Sequence, residues 1–193
     1  GLLRLEALEK IVAADSAGRV AGAQAEIDFC RRHRGTVGLL LDAQERGVLP
    51  LRITHNDTKI DNVLFDRDSG EVVCIVDLDT VMPGLVHYDF GDMMRTLTSP
   101  AAEDECDLTK VTMRLEYFEE LAKGYLAEAS EFLTQAERDH LAISGKVITL
   151  TLGIRFLTDH LNGDAYFRVH REGQNLDRAR VQFKLVESML EQE

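Results

Sequence analysis

The stretch "THNDTKIDNVLFDRDSGEVVCIVDLDT", Thr54 to Thr80, constrains this chain more than any other. "NVLF" and "VVCIVDL" are apolar runs rich in β-branched residues, and the polar turn "DRDSGE" joins them, so they predict a two-stranded hairpin. "LRIT" predicts a short extended run leading into His55. In the second strand Cys74 reads as a small buried hydrophobe. A histidine, an asparagine and several carboxylates surround these runs, which is costly unless the polar groups have work to do.

The rest of the chain reads as helix. "LLRLEALEKIVAA" puts Leu2, Leu5, Leu8 and Val12 at helical spacing before "DSAG" stops it. Two further helices are expected near 20–33 and 36–46, and another from about Tyr88 to Leu97, after the turn signal Pro83-Gly84. "TSPAAEDECD" predicts an exposed connection, followed by helices near 109–128, 135–162 and 175–191. Thr134 and Glu137 have the spacing of a capping box, and Gly163 closes the same helix. Residues 1–193 therefore read as one domain of the α+β class, mainly helical, built around a small β-hairpin.

"HNDTKIDN" fits the pattern H-x-D-x-x-x-x-N, and Asp77 follows Asn62 by 15 residues at the end of a strand. Phosphoryl transfer needs such parts. A carboxylate accepts the acceptor's hydroxyl proton, while an amide oxygen and a second carboxylate hold Mg²⁺ against nucleotide phosphates. The spacing assigns Asp57 as base and Asn62 and Asp77 as metal ligands, with Lys59 placed to neutralise charge on the phosphoryl oxygens. His55 reads as a packed scaffold residue, and Asp79 either assists the metal or caps the following turn. A literal "DFG" at Asp89-Phe90-Gly91 lies 32 residues after Asp57 and opens a helix rather than ending a strand. Asp89 is therefore expected to cap that helix or to anchor the catalytic loop through backbone N–H groups.

Composition removes other classes. With 22 basic and 34 acidic residues the net charge is −12, which disfavours nucleic acid and anionic membrane as partners. The one basic cluster, Arg31 to Arg34, reads as a solvated helix end. Three widely spaced cysteines without a CxxC pair support neither a disulfide framework nor a zinc ribbon. With no signal-peptide pattern either, the expectation is a cytoplasmic protein. A metal-dependent hydrolase would want its histidines closer together.

"HNDTKIDNVLFD", "IVDLDTVMPGLVHYDFGDMMR" and "LGIRFLTDHLNGDAYF" resemble the aminoglycoside/choline kinase-like phosphotransferases, and within them look closest to N-acetylhexosamine 1-kinases. The resemblance runs from about Glu26 to the C-terminus. It implies a protein-kinase-like fold, with ATP and Mg²⁺ phosphorylating the anomeric hydroxyl of a hexosamine. It also implies Lys59, Arg155 and Tyr166 as contacts to the sugar or its phosphate. From the residues alone, Tyr166 could equally pack, and Arg155 could pair with Asp159 one turn on.

The sequence departs from protein kinases in two places. Asn56 stands where those enzymes carry an activation-loop-sensing arginine. No glycine-rich loop, Walker loop or strand-borne V-A-I-K lysine occurs, and the 54 residues before His55 read as helix. The expectation is a C-terminal, catalytic-loop lobe whose nucleotide-covering lobe is elsewhere in the same polypeptide. Other acceptors (choline, homoserine, an aminoglycoside) and a non-catalytic binding module remain as alternatives.

Overall fold

The computed structural model describes residues 2–192. Among them are eight α-helices and four short strands: α1 Leu2–Ala14, α2 Gln24–Arg32, α3 Arg34–Glu45, β1 Arg52–Thr54, β2 Val63–Phe65, β3 Val72–Ile75, β4 Met82–Gly84, α4 Val86–Leu97, α5 Leu115–Ala129, α6 Gln135–Asp139, α7 Leu141–Leu161 and α8 Gln174–Glu191. The fold is mainly helical, with two separate antiparallel strand pairs, β1–β4 and β2–β3.

Helix α7 is the axis of the molecule. It packs on α8, α4, α1 and α3, and fourteen of its twenty-one residues are buried. The largest cluster joins Leu5 and Leu8 of α1, Ile27 and Phe29 of α2, Leu150, Ile154 and Leu157 of α7, and Phe183 and Val186 of α8. Close approach depends on glycine: a Cβ at Gly153 would lie 2.5 Å from Phe183 Cε1. Gly145 likewise gives its place to Met94 of α4.

Three expectations about the placement of helices and strands are corrected. The helix read over 135–162 is two helices. The Thr134–Glu137 capping box starts α6, but the His140 ring nitrogen lies 2.7 Å from the Ala136 carbonyl and its own N–H turns to the Glu137 carbonyl at 3.2 Å. The α-helical ladder breaks there and α7 starts afresh. The helix read over 109–128 begins only at Leu115, because the backbone is extended at Val111 and Arg114 and residues 111–114 form no helix. Val111 and Met113 alternate inward against Met94 and Leu185, and the Ser188 hydroxyl accepts the Met113 N–H at 3.0 Å. Third, Pro83-Gly84 is the end of β4 rather than a turn, paired with β1 in the register Arg52↔Gly84, Ile53↔Pro83, Thr54↔Met82. Proline is tolerated there because the two-stranded ribbon has a free edge.

The β2–β3 hairpin forms as expected, pairing Val63 with Ile75 and Leu64 with Cys74. Asp66 holds its turn by accepting from the Asp68 and Ser69 N–H groups at 3.0 and 2.8 Å, and Gly70 supplies a positive φ of 71°. Its apolar side chains are not buried: Leu64, Phe65, Val72, Val73 and Ile75 all face outward, and Cys74 is exposed rather than core.

Candidate active site

The loop between β1 and β2 is held from behind by α4. The Asp89 carboxylate accepts the His55 N–H at 2.8 Å and the Asn56 N–H at 2.7 Å, and the Asp89 carbonyl accepts the Thr58 hydroxyl at 2.8 Å. Both oxygens of Asp89 are thus committed to the loop. Asn56 takes a left-handed conformation, φ 65°, and its amide donates to the Thr80 carbonyl at 3.0 Å. His55 ties the loop to β3: its Nδ1 accepts the Asp57 N–H at 3.3 Å, which leaves Nε2 to donate to the Val76 carbonyl at 3.1 Å. These contacts fix backbone polar groups that would otherwise be left without partners.

Asp57, Lys59 and Asn62 meet on this scaffold. Lys59 Nζ and Asn62 Nδ2 both donate to Asp57 Oδ2, each at 2.9 Å, and Asn62 Nδ2 also donates to the Asp57 carbonyl at 2.8 Å. Asp57 Oδ1 takes no hydrogen bond among the described residues, and neither does the side-chain amide oxygen Oδ1 of Asn62. Burial pushes the Asp57 carboxyl up, but the hydrogen bonds from Lys59 and Asn62 outweigh it and hold the group below the ordinary aspartate range. The same ion pair raises the Lys59 ammonium.

Asp77 arrives from the other strand. The Val76 N–H donates to the Asn62 carbonyl at 2.9 Å, so Asn62 and Asp77 leave the hairpin at the same end. Asp77 adopts a left-handed φ of 64°, and its charge is felt at both Lys59 and Asp57. A hydrogen bond with Asp79, and that residue's charge, push the Asp77 carboxyl above its ordinary range. No side chain caps the short turn at Leu78–Thr80, of which Asp79 is the middle residue. Two crowded carboxyls and a free amide oxygen suit a hard divalent cation. Among the described residues no group of three His, Cys, Asp or Glu is placed to hold one alone, so water or ligand oxygens would complete its coordination.

Beside Asp57 lies a cavity of about 240 Å³, whose walls include Tyr88, Asp92, Arg95, Thr151 and Arg155. Arg95 donates twice to Asp92 Oδ1, at 3.0 and 2.8 Å. Sequence reasoning missed this pair, although Tyr88, Asp92 and Arg95 fall on one face of α4 at helical spacing. Arg155 does not pair with Asp159. Its guanidinium lies over the Tyr166 and Phe167 rings, 5.8 and 5.2 Å from their centroids. Tyr166 is three-quarters exposed and does not line the Asp57 cavity; it borders a second one on the far side of Arg155.

Residues 3–141 match the family model for the phosphotransferase enzyme family (APH). The chain belongs to that family. It is a phosphotransferase of the small-molecule kinase type, in which the matched span carries Asp57, Lys59, Asn62, Asp77, Asp89 and the Asp92–Arg95 pair. The phosphotransferase's Arg155 and Tyr166 lie beyond the matched residues.

Proposed function

We propose that this phosphotransferase moves the γ-phosphoryl group of ATP, with Mg²⁺, to the anomeric hydroxyl of an N-acetylhexosamine. The observation that carries the reading is the anchoring of Asp57: Lys59 and Asn62 hold Oδ2, and Oδ1 stays free at the wall of a cavity sized for a small acceptor. An acceptor hydroxyl hydrogen-bonded to Oδ1 would pass its proton there as its oxygen attacks phosphorus. A carboxylate kept ionised is adequate, because a loose transition state asks for position more than for basicity. Lys59 neutralises charge on the equatorial oxygens, and the Asn62 amide oxygen and Asp77 would hold Mg²⁺. When bound, the cation supplies charge neutralisation along the phosphate chain. Arg155 and the Asp92–Arg95 pair would orient the acceptor.

The outward apolar side chains of β2–β3 support a further part of the proposal, that the chain is the catalytic-loop lobe and that a nucleotide-covering lobe of the same polypeptide packs on the hairpin. The test is ADP release by the full polypeptide over a panel of N-acetylhexosamines, choline, homoserine and aminoglycosides. The expected result is turnover with an N-acetylhexosamine and a product phosphorylated at the anomeric oxygen. Turnover confined to a cationic acceptor would overturn the acceptor assignment.

A further inference from the structure

The second cavity, about 240 Å³ between α1 and the C-terminal end of α7, has walls of unusual chemistry. Arg4 and Arg155 both line it, and among the described residues neither forms an ion pair. Arg155 is half-buried with its guanidinium over the Tyr166 and Phe167 rings, yet among the described residues its N–H groups make no hydrogen bond. The Asn162 amide adds another donor, while the Thr158 hydroxyl already donates to the Ile154 carbonyl at 2.6 Å.

One carboxylate, Asp159, also borders the cavity, and it is already occupied. It is 5 % exposed and accepts the Tyr166 N–H at 2.8 Å, the Phe167 N–H at 2.9 Å and the Asn175 amide at 2.9 Å. Those bonds set the 166–167 backbone and with it the aromatic platform under Arg155. The result is a recess with two guanidiniums free of ion pairs, the Asn162 amide as a further donor, and its one carboxylate already engaged by three N–H groups. A ligand made only of acceptors fits such a recess, and guanidinium forks match planar or tetrahedral oxyanions.

We propose that this cavity is an oxyanion subsite, taking a carboxylate or phosphate group between Arg4 and Arg155. The site stands without the kinase reading. Only its link to the acceptor, through Arg155, which also lines the Asp57 cavity, rests on that reading. The anion can be free phosphate or a substituent on the acceptor, distant from the hydroxyl that is phosphorylated.

The test titrates inorganic phosphate into the protein by calorimetry at low ionic strength, with wild type, Arg4→Gln and Lys59→Gln in parallel. Arg4 is exposed on α1, so its replacement leaves the fold intact, checked by circular dichroism. Phosphate is expected to bind wild type and Lys59→Gln alike, and Arg4→Gln about tenfold more weakly. No phosphate binding, equal binding by Arg4→Gln, or loss in Lys59→Gln overturns the proposal. Turnover is not needed for this readout, so a failed kinase assay leaves it unaffected. Competition with phosphate by a carboxylate-bearing hexose, but not by its neutral counterpart, would support the subsite and identify an acceptor-borne anion. Phosphate binding indifferent to both sugars would support it with free phosphate as the ligand.

Discussion

Glu137 is the charged side chain on which the placement of β1 depends, and Glu137→Gln tests how strongly. Its carboxylate is fully buried at 0 % exposure. Arg52 of β1 reaches it with two donors, Nε to Oε1 at 2.7 Å and NH2 to Oε2 at 2.8 Å. The Thr134 N–H and hydroxyl add bonds to Oε2 at 2.8 and 2.9 Å. The Arg52 hydrogen bonds, opposed by burial and aided by Thr134, lower this carboxyl from an ordinary 4.5 to about 2. At 1.36 kcal/mol per pH unit, that displacement corresponds to about 3 kcal/mol of folding stability. Breaking a buried pair typically costs about 3–5 kcal/mol, and Arg52, still partly hydrated at 29 %, argues for the lower end. The two routes agree at about 3 kcal/mol. Because the folded-state value is depressed, the stabilisation is complete above the unfolded-state value and is lost as pH falls toward the folded-state value. Urea unfolding near pH 7 should separate wild type and Glu137→Gln by about 3 kcal/mol, and the gap should narrow progressively below about pH 4.5. A gap under about 1 kcal/mol at neutral pH, or one that does not change on acidification, would refute the reasoning.

Other outcomes follow from the packing and the loop. Asp89→Asn replaces an acceptor of two backbone N–H groups with an amide able to accept at only one oxygen. It should cost about 2 kcal/mol in urea unfolding and lower kcat by loosening the 55–62 loop. Gly153→Ala drives a methyl group against Phe183 and should destabilise by about 2 kcal/mol, read as a lower denaturation midpoint with unchanged slope. Burial pushes the Cys30 thiol up to about 12, whereas Cys74 and Cys106 are exposed. A thiol-reactive chromophore near neutral pH should therefore label two cysteines in the native protein and the third only on unfolding.

How far the sequence could be read depended on range. The hairpin, the tight loop before it and the crowding of Asp57, Lys59 and Asn62 were legible because all lie within a few residues of one another, where spacing dictates geometry. Helix positions followed from apolar periodicity, but their breaks did not. The break at His140 arises from a side chain competing for a carbonyl, and the late start of α5 from the Val111 and Met113 alternation, a period-two signal hidden in a helical context. β4 was hidden because Pro83-Gly84 carries a turn signature, and only its distant partner β1 makes it a strand. The exposure of Cys74 and its neighbours could not be read from an apolar run, which looks the same whether it is covered or faces outward. The Asp92–Arg95 pair had a signal in its helical spacing, but nothing local ties it to Asp57.

The central claim is that Asp57 is held by Lys59 and Asn62 so that one carboxylate oxygen remains free to take the acceptor's proton. Its most direct test is single-turnover phosphorylation by the protein carrying Asp57→Asn, a change that keeps the shape and removes the proton acceptor. The account predicts a fall in the phosphoryl-transfer rate of about 10²–10⁴, with nucleotide and acceptor binding little changed. A variant that transfers the phosphoryl group at the wild-type rate would contradict it.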